Sequence, residues 1–120
     1  MIRDPHKPEA FVLADALVVD VYGATRSFPG EERFGLQAQL RRGAVSVAAN
    51  LVERSSRRSL RDHLHFVSIA IGSASEARYL VELAVRLQLA GAQDGKRLIS
   101  GYTRVIRALQ ALITSLEAPA

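Results

Sequence analysis

Apolar residues near the end of the sequence recur with the spacing of a coiled-coil seam. The steps between them are 4-3-4-3-4, and the residues are Leu98, Tyr102, Val105, Leu109, Leu112 and Leu116. Ile99, Ile106 and Ile113 widen the same face at seven-residue steps. This spacing predicts an α-helix over about residues 95–117, whose apolar stripe must be buried against other helices. A chain of 120 residues is long enough to supply those helices itself.

Three further helices are predicted before this one. They cover about residues 9–26, 30–55 and 60–89. The stretches "SFPGEE", "SSRRSLRD" and "AQDGK" separate the four helices, since each is rich in residues that favour turns or helix starts. Ser59 and Asp62 have the spacing of an N-terminal cap, and Gly91 is expected to stop the third helix. We therefore expect an all-α chain, with residues 1–120 forming a single antiparallel up-down four-helix bundle.

The composition excludes several classes of site. There is no cysteine, so disulfides, zinc–thiolate sites and cysteine nucleophiles are excluded. The opening "MIRDPHKPEAF" is charged and contains two prolines, unlike a signal peptide. No run of about 18 apolar residues is free of charge, so we expect no membrane-spanning helix. Together these features predict a protein of the reducing cytoplasm.

The first and second helices carry more apolar residues than one buried face requires. In the first, only Asp15 and Asp20 interrupt the apolar surface. In the second, one apolar face comprises Leu36, Leu40, Gly43, Ala44, Val47 and Leu51. An opposite apolar face comprises Phe34, Ala38, Val45, Ala48 and Val52. Because a monomeric bundle needs only one buried face per helix, the surplus predicts homo-oligomerisation. The alternative is a monomer whose extra alanines and valines are exposed.

A narrow polar stripe also runs along the second helix. Its members, at steps of three or four, are Gln39, Arg42, Ser46, Asn50 and Glu53. The third helix has a 4-3-4-3-4 seam made of Ile69, Ser73, Glu76, Leu80, Leu83 and Leu87. Glu76 thus falls at a predicted core position, where a carboxylate must be paired or hydrogen-bonded. We expect a structural network that joins the polar stripe to Ser73 and Glu76.

The functional alternative for these residues is catalysis by two carboxylates, Glu53 and Glu76. A di-iron bundle would need Glu-x-x-His pairs, and the sequence has none. His63 and His65 are two residues apart, so they point to different sides of a helix and cannot chelate one ion together. No glycine-rich phosphate loop or nucleophile elbow is present. We therefore expect no catalytic residue, no cofactor, no metal site and no small-molecule substrate.

Basic residues outnumber acidic ones, and the excess is unevenly spread. The formal net charge is +4; residues 31–62 hold seven arginines against four acids, and residues 91–120 hold four basic residues against two acids. The side chains expected to contact nucleic acid are Arg41, Arg54, Arg57, Arg58, Arg61, Lys96, Arg97, Arg104 and Arg107. Aromatic residues for stacking are few, so contacts to the phosphate backbone are expected rather than contacts to bases. The alternative is an arginine-rich face that is only solvated.

Two segments resemble the 23S rRNA intervening-sequence protein family: "FPGEERFGLQAQLRRGAVSVAANLVER" and "FVSIAIGSASEARYLVELA". The family's pattern has Phe-Pro, a Glu, Leu-x-x-Gln-Leu-Arg-Arg, a Ser, Asn-x-x-Glu and Ala-x-Gly-Ser-x-x-Glu. These residues fall on Phe28, Pro29, Glu32, Leu36, Gln39, Leu40, Arg41, Arg42, Ser46, Asn50, Glu53, Ala70, Gly72, Ser73 and Glu76. Where the family usually has Gly after Asn-x-x-Glu, this chain has Arg54, so the second helix is expected to run further before it turns.

The resemblance implies an antiparallel four-helix bundle assembled as a homopentameric ring, which agrees with the surplus apolar face. It also implies kinship with the accessory proteins of diversity-generating retroelements, which are basic, pentameric and bind nucleic acid. No catalytic residues are carried over from the family. We therefore expect a non-enzymatic oligomeric protein that binds structured RNA or a ribonucleoprotein electrostatically. The alternative is a protein-only scaffold that ignores nucleic acid.

Overall fold

A computed structural model describes residues 9–119, which contain four α-helices, one short 3₁₀ turn and no strand. The helices are α1 (Glu9–Thr25), α2 (Leu36–Ser55), α3 (Leu60–Arg86) and α4 (Ala92–Glu117), and the 3₁₀ turn is Gly30–Glu32. The all-α prediction is confirmed for this part of the chain. The charged opening through Pro8 lies outside the described residues.

The four helices surround one hydrophobic core. α1 packs against α2 and α4, and α3 packs against the same two helices. The predicted seam of α4 lies in this core, with Leu98, Tyr102, Val105 and Leu109 buried and its last two leucines half-buried. The first apolar face predicted for the second helix is buried as well, from Leu36 through Leu51.

The second helix begins six residues later than predicted. The backbone at Gly35 has φ −103° and ψ −116°, which lies outside the helical region and separates the 3₁₀ turn from α2. Glu32 then caps α2, because its Oε1 accepts a hydrogen bond from the Leu36 N–H at 3.1 Å. Phe34 therefore lies in a turn instead of on the second helix, and its side chain is 86% exposed.

The third helix ends three residues earlier than predicted, and Gly91 does not stop it. Gln88 takes up the left-handed conformation with φ 60°. The N–H groups of Gln88 and Leu89 donate to the carbonyls of Val85 and Ala84, at 3.0 and 2.9 Å. This pattern closes the end of a helix by satisfying carbonyls that have no partner within it. At the other end of α3, Ser59 Oγ accepts from the Asp62 N–H at 3.1 Å, which confirms the predicted cap.

The seam predicted for the third helix is wrong by one residue. The buried residues of α3 are Val67, Ala70, Ala74, Ala77, Leu80, Val81 and Ala84. Of the predicted seam only Leu80 is buried; Ile69 and Leu87 are exposed, and so is Glu76. The seam is misplaced because most of the buried residues of α3 are alanines, whereas the predicted seam consists mostly of larger side chains. A shift of one residue turns the helix by about 100°.

Candidate nucleic-acid interface

Part of the predicted polar network forms a small cluster of hydrogen bonds between α2 and α3. The Oγ atoms of Ser46 and Ser73 lie 2.8 Å apart, so one hydroxyl donates to the other. Asn50 Nδ2 donates to the Ser46 carbonyl at 2.8 Å and to Ser46 Oγ at 3.1 Å. The three side chains are half-buried. The cluster therefore joins the middle of α2 to α3 through hydrogen bonds between side chains.

The charged members of the predicted network are not buried. Gln39, Arg42 and Glu76 are exposed and line an open polar groove of about 260 Å³ with the two serines. Among the ion pairs of residues 9–119, none joins Arg42 to Glu76. Glu53 instead pairs with Arg57, one turn further along the chain. The prediction of a buried carboxylate is wrong because α3 presents Glu76 to the surface, where its charge needs no partner.

Three of the arginines predicted to contact nucleic acid are held by other groups of the chain. Arg41 Nε donates to Thr25 Oγ1 at 2.9 Å, and its guanidinium lies 4.5 Å from the centre of the Tyr22 ring. Arg57 pairs with the carboxylate of Glu53 on α2, and its guanidinium lies 5.1 Å from the centre of the Phe66 ring. Arg97 belongs to a bridge between α1 and α4, which makes it a structural residue first.

The bridge at Arg97 contains two carboxylates. Arg97 donates to both oxygens of Asp20 on α1, at 2.6 and 2.9 Å, and to Asp94 at 2.8 Å. These hydrogen bonds, the one to Asp20 first, raise the pKa of the guanidinium above its ordinary value. Because two acids neutralise this cation, it adds little to any attraction of a polyanion.

Five of the six remaining predicted basic side chains form two separate sets. Arg58 and Arg61 are exposed where α2 gives way to α3. Lys96, Arg104 and Arg107 are exposed on α4. Arg78 of α3 donates a hydrogen bond to Thr103 of α4, so Arg104 lies beside the part of α3 near Arg78. Arg78 is 17 residues further along the chain than Arg61. At 1.5 Å per residue this is about 25 Å along the axis of α3.

Three buried polar atoms have no hydrogen-bond partner within residues 9–119: Arg54 Nε, His63 Nδ1 and the hydroxyl of Tyr102. Arg54 is half-buried, so only part of its side chain is available to a ligand. Burial raises the pKa of the Tyr102 phenol above its usual range. Tyr102 is fully buried in the core, so its hydroxyl is not available to a nucleic acid.

A larger groove, which the sequence analysis missed, lies where the end of α1, the 3₁₀ turn and the first half of α2 meet. Its volume is about 910 Å³. Four arginines line it: Arg26, Arg33, Arg41 and Arg42. Tyr22, Phe28 and Phe34 line it as well, and its lining contains no acidic residue. We call this site the arginine groove.

The signal for the arginine groove is present in the sequence as "RSFPGEERFG", which contains two arginines and two phenylalanines together with Glu31 and Glu32. It was missed because Phe34 was placed on an apolar helix face, where it would face another subunit. The break at Gly35 removes it from the helix and leaves it beside Arg33, whose guanidinium lies 5.5 Å from the ring centre. The exposed Phe34 ring is one of the few aromatic side chains that are available for stacking.

Within residues 9–119 no three His, Asp or Glu side chains are grouped closely enough to hold a metal ion. In the same part of the chain, no helix combines the length and the apolar character needed to cross a membrane.

Comparison with known proteins agrees with this description. The sequence model of the 23S rRNA-intervening sequence protein family matches residues 7–111. A crystal structure of a protein with unknown function from the S23 ribosomal protein family of Bacteroides thetaiotaomicron has the same fold, with a TM-score of 0.81. It is 21% identical to this chain, and the match covers 88% of this chain and 95% of that one. No curated protein matches the chain.

The fold defines the class of the protein: the described residues form a small all-α protein of four helices. The extent of the family match identifies it further, since it covers most of the 120 residues. The chain belongs to the 23S rRNA-intervening sequence protein family.

Proposed function

We propose that this chain is a non-enzymatic, oligomeric helical-bundle protein that binds structured RNA, alone or within a ribonucleoprotein. One observation carries the proposal. The ion pairs of the described residues engage only two arginines, Arg57 and Arg97. The exposed arginines left without a carboxylate within 4.0 Å are Arg26, Arg33, Arg42, Arg58, Arg61, Arg86, Arg104 and Arg107.

Unpaired guanidinium groups at a surface attract phosphates because binding releases the counterions condensed on a nucleic acid. Guanidinium also forms two parallel hydrogen bonds to a phosphate, which an ammonium cannot do. The family's name links it to an intervening sequence of 23S rRNA, which supports RNA over DNA as the polyanion. The match to the family supplies no residue-level role, so the contacts are inferred from charge and exposure alone.

The proposed assembly is a homopentameric ring of antiparallel bundles. The contact register supports the antiparallel order: Gly43 lies against Ala77 and Ser46 bonds to Ser73, so residue numbers rise along α2 as they fall along α3. Exposed apolar side chains support the association of chains, since Val19 is 74% and Val52 is 55% exposed. A ring would repeat each basic set around its axis and so increase its attraction for RNA through multiple contacts.

The experiment that tests RNA binding is a titration of the protein into a labelled rRNA hairpin at two salt concentrations, with a DNA duplex of equal length alongside. The decisive variant is Arg58→Ala with Arg61→Ala. We expect this variant to bind the hairpin about tenfold more weakly. The slope of log affinity against log salt should become shallower by about two for each chain that contacts the RNA, because two phosphate contacts are lost. Thr114→Glu with Ser115→Glu is the control, because it lowers the net charge equally, seven residues beyond Arg107 on α4.

The outcomes separate two functions. Salt-dependent binding that weakens in the arginine variant and not in the control supports the RNA-binding proposal. An oligomer that does not bind the hairpin even at low salt contradicts it and favours a protein-only scaffold. The exposed apolar residues favour that second function as much as they favour the ring, because they suit either another copy or a different polypeptide.

A further inference from the structure

The arginine groove has features that a solvated basic surface does not require. Phe34 is 86% exposed in the turn before α2, the highest exposure among the large apolar side chains described. One exposed apolar residue is ordinary at a surface, but this ring lines a groove and lies beside the Arg33 guanidinium. Four arginines and no acid line the groove around it.

The guanidinium of Arg41 is fixed before any ligand arrives. It donates from Nε to Thr25 and from one terminal nitrogen to the Tyr22 carbonyl, at 2.9 and 3.4 Å, while lying over the Tyr22 ring. Arginine has five N–H donors, so several remain for a ligand. A side chain already ordered by its own chain loses less conformational entropy when it binds.

We propose that the arginine groove binds unpaired nucleotides of RNA, with a base stacked on the Phe34 ring and the neighbouring phosphates bound by Arg26, Arg33 and Arg42. Proteins that bind single strands combine a positive groove with exposed aromatic rings in this way. Bases can reach a ring only where they are not paired, in loops, bulges and ends. The inference rests on the proposed function, and it adds that the protein selects unpaired segments within the structured RNA.

Charge complementarity decides between RNA and a second protein surface as the occupant. An apolar partner that covered the groove would remove four guanidinium groups from water without supplying counter-charges, which is costly. A chain of phosphates supplies one negative charge per nucleotide at the spacing of the backbone. The groove volume of about 910 Å³ lies within the range of ligand-binding clefts, so it accommodates nucleotides rather than a whole duplex.

The test compares two RNAs and three proteins by fluorescence anisotropy. One RNA is a stem closed by an unpaired loop of about eight nucleotides; the other is the same stem as a blunt duplex. The proteins are the wild type, Phe34→Leu and Phe34→Tyr. Leucine keeps an apolar side chain but removes the ring, whereas tyrosine keeps the ring. Because the side chain is exposed in a turn, both variants are expected to fold, which circular dichroism checks.

We expect Phe34→Leu to bind the looped RNA about tenfold more weakly and the blunt duplex within about twofold of the wild type. Phe34→Tyr should match the wild type on both RNAs. Light scattering is measured on the same samples, and the oligomer mass should be equal in all three proteins. Arg33→Gln should weaken binding to the looped RNA as well, since it removes a phosphate contact beside the ring.

Other results overturn the inference in recognisable ways. Equal binding of the looped RNA by the wild type and Phe34→Leu would mean that RNA binds elsewhere, which leaves the proposed function intact. A loss of oligomer mass in Phe34→Leu would make the ring a contact between subunits. A wild-type protein that binds neither RNA would contradict the proposed function itself, and the inference with it.

Discussion

Thr25 is a fully buried polar residue that ties α1 to α2. Its hydroxyl donates to the Val21 carbonyl at 2.8 Å and accepts from Arg41 Nε. Its carbonyl accepts from Gln37 Nε2 at 3.1 Å. Side chains of α2 thus satisfy carbonyls at the end of α1, which would otherwise lack partners.

Replacement of Thr25 by valine should destabilise the protein by about 1–2 kcal/mol. Valine has nearly the same shape, so the loss comes from the Arg41 Nε–H that no longer has its acceptor in a half-buried site. Thr114→Val is the matched control, because Thr114 makes the same bond to the carbonyl four residues earlier but is exposed. Urea denaturation at one protein concentration measures both; equal values for the two variants would contradict this role of Thr25.

Gln88 is the residue whose backbone conformation is least suited to its side chain. Its φ of 60° lies in the left-handed region, which costs a residue with a Cβ about 1–2 kcal/mol relative to glycine. The closing turn of α3 needs this conformation, so the cost is accepted at a helix end.

Gln88→Gly should therefore stabilise the protein by about 1 kcal/mol. Gln110→Gly, in the exposed interior of α4, should destabilise it by about the same amount, because glycine disfavours a helix interior. A gain in the free energy of unfolding for Gln88→Gly and a loss for Gln110→Gly, measured by thermal or urea denaturation, would confirm the left-handed turn. A loss of stability in both variants would contradict it.

At the scale of helices, the sequence predicted the elements whose buried residues are large. The faces of α2 and α4 were predicted because leucines, valines and isoleucines mark them at seven-residue spacing. The face of α3 was misplaced because its buried residues are mostly alanines, and alanine is compatible with core and surface alike. The same error placed Glu76 in the core and led to the predicted ion pair.

Turns were predicted less well than helices, for a different reason. Gly91 is of the residue type that commonly ends a helix, but α3 has already ended before it, at the turn where Gln88 takes the left-handed conformation. Gly35 separates the 3₁₀ turn from α2 through a backbone conformation that no spacing rule reveals. The arginine groove depends on that break, so it required the structure to be found.

Ala77→Leu should destabilise the protein by about 1–3 kcal/mol or more, because Ala77 is fully buried against Gly43 of α2 and has no room for a larger side chain. Glu76→Leu is the matched control: it introduces the same side chain one residue earlier, at an exposed position, and should change the stability by less than about 0.5 kcal/mol. Urea denaturation ranks the two. A larger loss of stability in Glu76→Leu than in Ala77→Leu would support the seam predicted from the sequence.

At the scale of the whole molecule, apolar surface remains on several helices after the core has formed. Val19 on α1, Val52 on α2 and Tyr79 on α3 are each at least half exposed. Single exposed residues are ordinary, but exposed apolar side chains on three helices together favour the association of chains. The proposed ring would bury Val52 between neighbouring chains.

Val52→Lys should dissociate the proposed ring. A charge placed in an apolar contact between chains must be desolvated without a partner, which weakens association without affecting the fold of an exposed site. The mass from light scattering should fall toward the 13.1 kDa of one chain, while Thr114→Lys, at an exposed position of α4, keeps the wild-type mass. Unchanged mass in both variants would place the contact elsewhere.

The most direct test of the account is light scattering of the wild-type protein mixed with the looped rRNA hairpin, at low and at high salt. At low salt the account predicts one particle containing RNA and five chains, about 65 kDa of protein from five times 13.1 kDa. At high salt the RNA should separate from an intact pentamer, since counterion competition weakens the phosphate contacts. Separate particles of protein and RNA at low salt, with a protein mass of 13.1 kDa, would contradict both the ring and its binding of RNA.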